Sequence, residues 1–581
     1  MTSKWIYLPL TSEQKQIEAQ LAVQFPDCPS IARLLVLRGM KTPEDVRDFF
    51  YPSLSQLPDP FLMRDMKKAV ERLNQALGAK EKVLIYGDYD VDGTTAVALV
   101  YRYLRRLYSN VEYYIPTRDD DGYGISVQGI DYAHSIGVKL IIVLDCGIKA
   151  VEEIAYAKSK GIDFIICDHH VPDDVLPDAA AILNPKLVDD KYPYKDLSGC
   201  GVGYKFMQGF AKSNGIDSIY DLENSLDLLA VSIAADLVPL TGENRILTHY
   251  GIKRLNNNPC AGLRSILRLC RLTKKEITIS DIIFKIGPLI NASGRMQSGQ
   301  ESVELLITRS SAAAYEITKK IDKYNQSRKE LDRNITEEAN AIIENHKEEM
   351  GSKKPIVIYN HDWHKGIIGI VAARLAELYF RPSVVLTYSN DGLVTGSSRS
   401  VRGFDIYTAI KQNRDLLENF GGHTNAVGLT LKEENIPEFK RRLEEYVESH
   451  IETEQVTPSI DVDCELGFDE INDSFMKYIK LFNPFGPENQ KPVFMTRNCV
   501  DAGTSKLVGK KQEHIKLDAI DQASGKMMNG IAFALGEYYE RIKDKEPFDI
   551  IYTVEENHHR NTVSIQLLIK GIRMSSDAND N

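Results

Sequence analysis

The sequence predicts an α/β protein in which a parallel-sheet domain and a smaller α/β domain are joined by a long helix and followed by a C-terminal β-barrel. Three patterns support this fold class. Short apolar runs alternate with helical patterns after residue 82, a long charged helical pattern follows residue 311, and β-rich segments prevail after residue 459. Alternating strands and helices are typical of a parallel sheet covered on both faces.

The chain begins with a helical extension over 1–78 and a first α/β domain over 79–310. In the extension, Thr42 followed by Pro43 is a typical helix start, because threonine caps the helix and proline suits its first position. In the domain, strand and helix patterns alternate: strands at 83–87, 139–145 and 163–168, and helices at 94–107, 151–159 and 226–235. This alternation predicts a parallel sheet within residues 79–310.

A long helix over 311–352 follows. Its apolar residues lie on one stripe because they are spaced by threes, fours or their sums: Ile317, Ile321, Tyr324, Leu331, Ile335 and Ile342. Such a helix reaches about 50 Å and can connect two domains. The second α/β domain is predicted over 353–455, the small barrel over 456–573 and a frayed tail over 574–581.

Composition excludes several classes of protein. With 43% hydrophobic and 26% charged residues among 581, the chain is neither disordered nor collagen-like. The first twenty residues lack a secretion signal, and no run approaches the about 20 apolar residues that span a bilayer, so a cytoplasmic protein without a membrane partner is expected. The eight cysteines form no Cys-x-x-Cys pair, which argues against structural zinc and disulfides.

The net charge of −11 argues mildly against a protein that coats nucleic acid. Local charge differs from the total, because the stretch 253–275 contains seven lysines and arginines and no acid. Two interpretations of this stretch are equally favoured: a basic binding face, or the solvated surface of a helix.

Three carboxylates follow the first predicted strand at alternate positions: Asp88, Asp90 and Asp92, before Gly93. The pattern Asp-x-Asp-x-Asp-Gly also opens a calcium-binding EF-hand loop. That loop requires a glutamate at its twelfth position, where this chain has Leu99, and a helix before it, where this chain has a strand. The EF-hand interpretation is therefore rejected.

The next two strands also end in ligand-type residues. Asp145 ends the second strand, and Asp168, His169 and His170 follow the third. Because ligands bind at the carboxyl ends of parallel strands, these clusters are expected to converge. So many carboxylates repel one another unless cations neutralise them, and an oxygen-rich set with imidazole suits Mg²⁺ or Mn²⁺. Two ions about 4 Å apart would suit displacement at phosphorus.

These motifs, GDYDVDGTTA, LDCGI and CDHH, resemble the first three motifs of the DHH phosphoesterase superfamily, and Asp236 in SIAADLVPL resembles its fourth. Further segments match in order and spacing: IPTRDDDGYGI, GPLINASGRM, WHKGIIGIVAARL, GSSRSVRGFD, GGHTNAVGL and FNPFGPENQKPVF. Over about residues 50–573 the chain is similar to the RecJ family of exonucleases. The resemblance implies a DHH domain over 79–310, a DHHA1 domain over 353–455 and an oligonucleotide-binding (OB) barrel.

By this resemblance the protein is a two-metal phosphodiesterase that degrades single-stranded DNA from 5′ to 3′ into 5′-mononucleotides, in DNA repair and recombination. The implied ligands of two Mn²⁺ or Mg²⁺ ions are Asp90, Asp92, Asp145, His169 and Asp236, with Asp145 as the bridge. Asp88, Asp168 and His170 complete the implied catalytic set, in which they orient ligands or face the phosphate, and His170 is a candidate to shuttle a proton.

The resemblance also implies a pocket for the 5′-terminal phosphate, formed by Arg118, Arg295, Ser397 and Arg399, since guanidinium groups match phosphate oxygens. Tyr123 is implied to stack on a base, and His423 to donate to a phosphate or nucleotide. Lysines of the barrel are candidates for contacts with the DNA backbone: Lys506, Lys510, Lys511 and Lys516. The segment SGCGVGYKF at 198–206 matches no phosphate-binding loop, so we predict a turn that leads into a helix.

The chain departs from the family pattern at Asp121, Leu289 and Thr424-Asn425, which leaves the metal motifs intact. Two alternatives stay open. One is a sister phosphodiesterase for short oligoribonucleotides or cyclic dinucleotides, against which the length and the extra barrel argue. The other is a replication scaffold without chemistry, against which the complete acidic set argues. A monomer is expected, with a single-strand-binding protein and a helicase as candidate partners.

Overall fold

The computed structural model describes residues 3–117, 124–346, 351, 353–389, 392–559 and 562–580. The chain forms two compact units. Residues 1–53 and 458–581 form one of them, called here the barrel unit, and residues 54–457 form the other, called here the core unit. Among the described residues, no helix combines the length and the apolar character that crossing a bilayer requires.

The strands run, in chain order, over β1 (Lys4–Tyr7), β2 (Lys82–Gly87), β3 (Val111–Tyr114), β4 (Val138–Leu144), β5 (Asp163–Cys167), β6 (Ala181–Leu183), β7 (Ile356–Tyr359), β8 (Ser383–Tyr388), β9 (Leu393–Arg399), β10 (Leu417–His423), β11 (Ala426–Lys432), β12 (Ser459–Val462), β13 (Cys464–Glu465), β14 (Phe494–Asp501), β15 (Lys506–Val508), β16 (His514–Asp521), β17 (Met527–Ala532), β18 (Phe548–His559) and β19 (Thr562–Met574).

The helices run over α1 (Ser12–Ala22), α2 (Ser30–Leu37), α3 (Pro43–Phe50), α4 (Met66–Gly78), α5 (Val91–Leu107), α6 (Val127–Ser135), α7 (Val151–Ser159), α8 (Gly199–Ser213), α9 (Ser218–Leu222), α10 (Leu226–Ala235), α11 (Gly242–Asn257), α12 (Ala261–Leu269), α13 (Ile279–Asp281), α14 (Gly287–Met296), α15 (Gln300–Ile307), α16 (Ser311–Asn345), α17 (Ile368–Tyr379), α18 (Ile406–Lys411), α19 (Ile436–His450), α20 (Asp473–Leu481) and α21 (Tyr539–Lys543). A π-helical turn over Ile282–Ile286 joins α13 to α14.

The first sheet of the core unit is parallel throughout, with the strand order β3-β2-β4-β5-β6. Along β2, Val83 and Ile85 contribute to one apolar core, whereas Leu84 and Tyr86 contribute to another. Successive side chains of a strand point to opposite faces, so helices cover this sheet on both sides. The sheet predicted from alternating strands and helices is confirmed, and its strand ends all lie at one edge.

The helix α16 joins two hydrophobic cores of the core unit. It begins after the N-cap Ser310, whose side chain accepts a hydrogen bond from the backbone N–H of Ala313. Ile321 packs into the core of the parallel-sheet domain, and Ile335 packs into a core that includes β7 and α17. The prediction of a long connecting helix is therefore confirmed, and the described helix ends at Asn345.

The second sheet of the core unit is mixed. Its order is β10-β11-β9-β8-β7, in which β7 and β8 are parallel and the other neighbours are antiparallel. The antiparallel part places β9 between β8 and β11, so the segments GSSRSVRGFD and GGHTNAVGL, which are distant in sequence, lie side by side.

The barrel unit contains a closed ring of strands. β14 pairs with β18, β18 with β19, β19 with β17, β17 with β16, and β16 again with β14. The helices α1–α3 pack on this barrel, where Phe25 and Phe50 share one core with Phe482, and β1 pairs with β12. The segment 1–78, predicted as one helical extension, thus begins with a strand and divides between the two units after Ser53.

Candidate metal centre

Seven of the eight predicted catalytic residues come together where the carboxyl ends of β2, β4 and β5 meet the end of α10, whose C-cap is Asp236. Their ligand atoms fall into three groups, within each of which all atoms lie within 4.8 Å of one another: Asp88, Asp90 and Asp145; Asp92, His169 and Asp236; and Asp145, His169 and His170. The eighth residue, Asp168, forms a hydrogen bond with the side chain of His170. Because β2, β4 and β5 are neighbours in a parallel sheet, their ends converge as the sequence predicts.

The first motif places two carboxylates at the start of α5. Asp90 is the N-cap of this helix and accepts a hydrogen bond from the backbone N–H of Gly93 at 3.0 Å. A Cβ atom at position 93 would lie 2.4 Å from the carbonyl oxygen of Asp88. Only glycine allows this contact, so Gly93 brings the backbone of Asp88 against the helix and sets the spacing of the acids.

The start of α8 holds Asp92 in place. Its carboxylate accepts hydrogen bonds from the backbone N–H groups of Gly199 at 2.6 Å and Cys200 at 2.8 Å, and from Ser232 Oγ at 2.7 Å. The predicted turn into a helix at 198–206 is confirmed, with Ser198 as the N-cap. The support that it gives to Asp92 escaped prediction, since these partners are more than one hundred residues away in sequence.

Asp145 occupies the centre of the group. Its φ of 62° lies in the left-handed region, a conformation that costs a residue with a side chain roughly 1–2 kcal/mol. His169 Nε2 lies 3.2 Å from Asp145 Oδ1, 3.7 Å from Asp236 Oδ2 and 3.8 Å from Asp92 Oδ2. One imidazole nitrogen thus faces three carboxylates, an arrangement that a shared cation would satisfy.

The electrostatics of the group require positive charge. Burial, followed by the charges of Asp92 and Asp90, raises the pKa of Asp145 well above its ordinary value, and the pKa of Asp236 is raised by the same causes. Burial lowers the pKa of His169 to about 4, so this imidazole is neutral at physiological pH, as metal ligation requires. A buried set of carboxylates with one neutral imidazole fits Mn²⁺ or Mg²⁺.

Asp168 orients the histidines. Its Oδ1 accepts from the backbone N–H of His169 at 2.7 Å and pairs with Nδ1 of His170 at 2.7 Å, while its Oδ2 accepts from the backbone N–H of Ile148 at 3.0 Å. Burial lowers the pKa of His170, but the hydrogen bond and the charge of Asp168 outweigh it and raise this pKa to about 9. His170 therefore carries a proton at neutral pH, unlike His169.

A second group of predicted residues surrounds the start of α17. A Cβ atom at Gly294 would lie 2.5 Å from the carbonyl oxygen of Tyr89, so α14 packs directly on the first acidic motif. The next residue, Arg295, donates from Nη1 to the carbonyl oxygen of Gly366 at 3.0 Å. α14 thereby joins the metal motif to the segment that precedes α17.

Ser397 and Arg399 lie near each other on β9. Arg399 Nη1 donates to Ser397 Oγ at 3.1 Å and to the carbonyl oxygen of Ser398 at 2.7 Å. A Cβ atom at Gly369, in the first turn of α17, would lie 3.0 Å from Ser397 Oγ and 3.5 Å from Arg399 Nη2. Burial lowers the pKa of Arg399. A half-buried guanidinium bonded to neutral oxygens beside a helix start suits an anion.

His423 ends β10, on the far side of β11 from β9. Burial lowers its pKa, and the positive charges of Arg399 and His170 lower it further. The charges of both Arg399 and His170 thus act on His423. Arg295, Ser397 and Arg399 are called here the anion group. Arg118 and Tyr123, which the sequence also assigns to substrate binding, lie outside the described residues.

The basic stretch 253–275 is partly engaged in structure. Arg254 lies 3.8 Å from the buried Asp227, and Lys275 pairs with Asp281 at 2.8 Å. Arg264 donates to the side chain of Asn258 and to the carbonyl oxygen of Pro259. These contacts favour a structural role for three of the seven basic residues of the stretch.

Metal binding should make the stability of the protein depend on pH. The raised pKa values of Asp90, Asp145 and Asp236 mean that the metal-free protein loses stability as the pH rises above the ordinary aspartate value of about 4. Mn²⁺ should therefore raise the melting temperature more at about pH 8 than at about pH 5. Thermal denaturation with Mn²⁺ or with a chelator measures this, and an increment that is equal at both pH values would contradict it.

Comparison with known proteins identifies three families along the chain. The family described as "DHH family, N-terminal domain" matches residues 82–233, the DHHA1 domain matches residues 352–449, and the RecJ OB domain matches residues 462–571. These three regions correspond to the parallel sheet with its acidic strand ends, the mixed sheet and the closed barrel.

A relative from Bacillus subtilis (strain 168), named "Single-stranded-DNA-specific exonuclease RecJ", is 34% identical over 574 residues, which cover 98% of this chain and 71% of the relative. The crystal structure of RecJ in complex with Mn²⁺ from Thermus thermophilus shares the fold, with a TM-score of 0.82, 23% identity and coverage of 98% of this chain and 79% of that chain. A crystal structure of exonuclease RecJ bound to manganese gives a TM-score of 0.57 at 28% identity, over 69% of this chain and 98% of that chain.

Proposed function

This chain belongs to the RecJ family, and from that premise we propose that it is a metal-dependent exonuclease that degrades single-stranded DNA from the 5′ end to 5′-mononucleotides. The observation that carries the proposal is the convergence of seven carboxylates and imidazoles where one edge of the parallel sheet meets the end of α10. A role in DNA repair and recombination follows from the same activity, since both processes generate single strands.

Five residues of the centre are proposed to hold two Mn²⁺ or Mg²⁺ ions: Asp90, Asp92, Asp145, His169 and Asp236. When bound, the ions stabilise the charge that develops on the scissile phosphate and activate water. The chain itself orients these ligands through α8 and Asp168. His170, which Asp168 keeps protonated, is placed to give a proton to the 3′ oxygen of the first nucleotide as the bond between that oxygen and phosphorus breaks.

The anion group is proposed to bind the terminal 5′ phosphate through Arg295, Ser397 and Arg399, with His423 donating to the first nucleotide. Arg118 and Tyr123 complete the proposed substrate set. Gly294 contacts the backbone of Tyr89, and Arg295 follows it directly in α14. The end of this helix therefore positions the proposed site of the terminal phosphate relative to the metal centre. A bound 5′ phosphate would therefore place the first phosphodiester at the metals.

The barrel is proposed to grip the DNA backbone. Lys506 and Lys516 stand directly opposite each other in the β15–β16 ladder and both are exposed, as are Lys510 and Lys511. Like charges opposite each other destabilise a ladder, and a phosphate between them would relieve the repulsion. The proposal also includes the predicted boundaries of the DHH, DHHA1 and OB domains, a monomer, a cytoplasmic location, and a single-strand-binding protein and a helicase as partners.

The activity is tested with the purified protein, Mn²⁺ or Mg²⁺, and four substrates: a 5′-phosphorylated single DNA strand labelled at its 3′ end, its 5′-hydroxyl form, the duplex, and an RNA of the same sequence. We expect the phosphorylated DNA strand to shorten from its 5′ end into mononucleotides while the duplex survives. The Arg399→Ala variant should lose the preference for the 5′ phosphate, because its guanidinium no longer binds that group.

Arg414→Ala is the matched control, since Arg414 is an arginine of the same domain that packs on Phe420. Cleavage of short RNAs or cyclic dinucleotides alone would support metal-dependent phosphodiester hydrolysis and reject single-stranded DNA as the substrate. No cleavage with either metal would favour a scaffold without activity. An unchanged 5′-phosphate preference in Arg399→Ala would reject the proposed pocket.

A further inference from the structure

Lys186 lies beside the metal centre, although no motif includes it. The strand β6 is the neighbour of β5 in the parallel sheet and ends at Leu183, so the residues that follow it lie at the same edge as Asp168 and His169. Lys186 is the third residue after the end of β6, and its side chain is half-buried. Its position therefore continues the row of strand ends from which the centre is built.

A buried asparagine ties Lys186 to the metal motif. Asn184 is fully buried. Its Nδ2 donates to the carbonyl oxygen of His170 at 2.8 Å, and its Oδ1 accepts from the backbone N–H of Lys186 at 2.9 Å. The nitrogen and the oxygen of one amide thus hold the loop of Lys186 against the loop of His170, and this fixes the position of the Lys186 backbone.

The charge of Lys186 acts on both sides of the centre. Burial is the largest cause of the lowered pKa values of His169 and His423, and in both cases Lys186 lowers the pKa further. Lys186 also lowers the pKa of Asp236, against the larger effect of burial. These directions agree with the place that the hydrogen bonds of Asn184 give to Lys186, on a loop held against His170. Among the described residues, Lys186 forms no ion pair with a carboxylate.

We propose that Lys186 binds substrate by contacting a non-bridging oxygen of the phosphodiester that lies at the metal centre. Lys186 is half-buried, has no paired carboxylate in the described part of the chain, and lies on a loop that Asn184 ties to the backbone of His170 at the edge where the metal centre forms. A lysine in this position is suited to bind a phosphate anion. The inference rests on the proposed function. It adds a contact with the linkage that is cut, separate from the arginines proposed for the terminal phosphate.

The test compares Lys186→Ala, Lys186→Arg and Lys186→Glu with Lys191→Ala, an exposed lysine five residues further along the same segment. kcat/KM on 5′-phosphorylated single-stranded DNA should fall about 10- to 100-fold in Lys186→Ala, fall further in Lys186→Glu and be largely restored in Lys186→Arg. Lys191→Ala should match the wild type. The slope of log kcat/KM against log salt should become shallower by about 0.7 in Lys186→Ala, the value for one phosphate contact on a single strand.

Mn²⁺ binding, measured by titration without DNA, separates this role from a structural one. Removing a cation beside the ligands lowers repulsion, so Lys186→Ala should bind Mn²⁺ at least as tightly as the wild type. An active wild type with an equally active Lys186→Ala would reject the inference and leave the proposed function intact. Weaker Mn²⁺ binding without rescue by arginine would also reject it. An inactive wild type would reject the proposed function, and the inference with it.

Discussion

Asp145→Ala should abolish degradation of single-stranded DNA, with a loss of at least about 1000-fold, because its carboxylate lies in two of the three ligand groups and faces His169 at 3.2 Å. Without it, the proposed metals lose their shared ligand. The loss is measured as the initial rate of mononucleotide release with Mn²⁺, and as Mn²⁺ affinity by titration. Both should fall together.

The fold should survive this change. Burial and neighbouring carboxylates raise the pKa of Asp145, so its removal relieves repulsion in the metal-free protein, and the melting temperature without metal should not fall on that account. Asp173→Ala is a suitable control, because Asp173 is an exposed acid whose ion pair with Lys149 at 3.0 Å contributes little to stability. Full activity of Asp145→Ala would overturn the metal assignment.

Gly199→Ala should reduce activity by about 100-fold while the protein stays folded. A Cβ atom at this position would lie 2.5 Å from Cβ and 2.6 Å from Oδ1 of Asp145, so either Asp145 or the start of α8 must move. Since the N–H group of Gly199 also holds Asp92, either movement disturbs two proposed ligands. Rates of DNA degradation and Mn²⁺ affinity report the change.

Gly201→Ala is the matched control in the same helical turn. A Cβ atom there would meet its nearest neighbours, Leu197 and Ser198, at 3.4 Å, an ordinary contact. Both changes replace glycine by alanine within α8, which favours the helix by up to about 1 kcal/mol, so neither should unfold it. Equal activities of the two variants would show that the close contact of Gly199 with Asp145 has no role in the site.

The sequence predicts best those features that depend on local pattern. The acids after β2, β4 and β5 converge because parallel strands end at one edge, and α16 follows from its apolar stripe. The support of Asp92 by Gly199 and of Lys186 by Asn184 was not predictable, because these hydrogen bonds depend on how loops and helix starts pack and leave no spacing in the sequence. The same holds for the packing of α1–α3 on the barrel, since an apolar stripe does not indicate which surface covers it.

The contact between Gly294 and the backbone of Tyr89 bears on the size of the product. Near the end of α14, Gly294 contacts the acidic motif, and the next residue, Arg295, belongs to the group that is proposed to bind the terminal phosphate. On the proposed function, the number of nucleotides released in each cleavage then depends on how rigidly this contact fixes the distance between the terminal phosphate and the metal centre. A rigid contact gives the same product length in every reaction cycle, regardless of base sequence. A contact that allowed α14 to shift would give a mixture of mononucleotides and longer fragments.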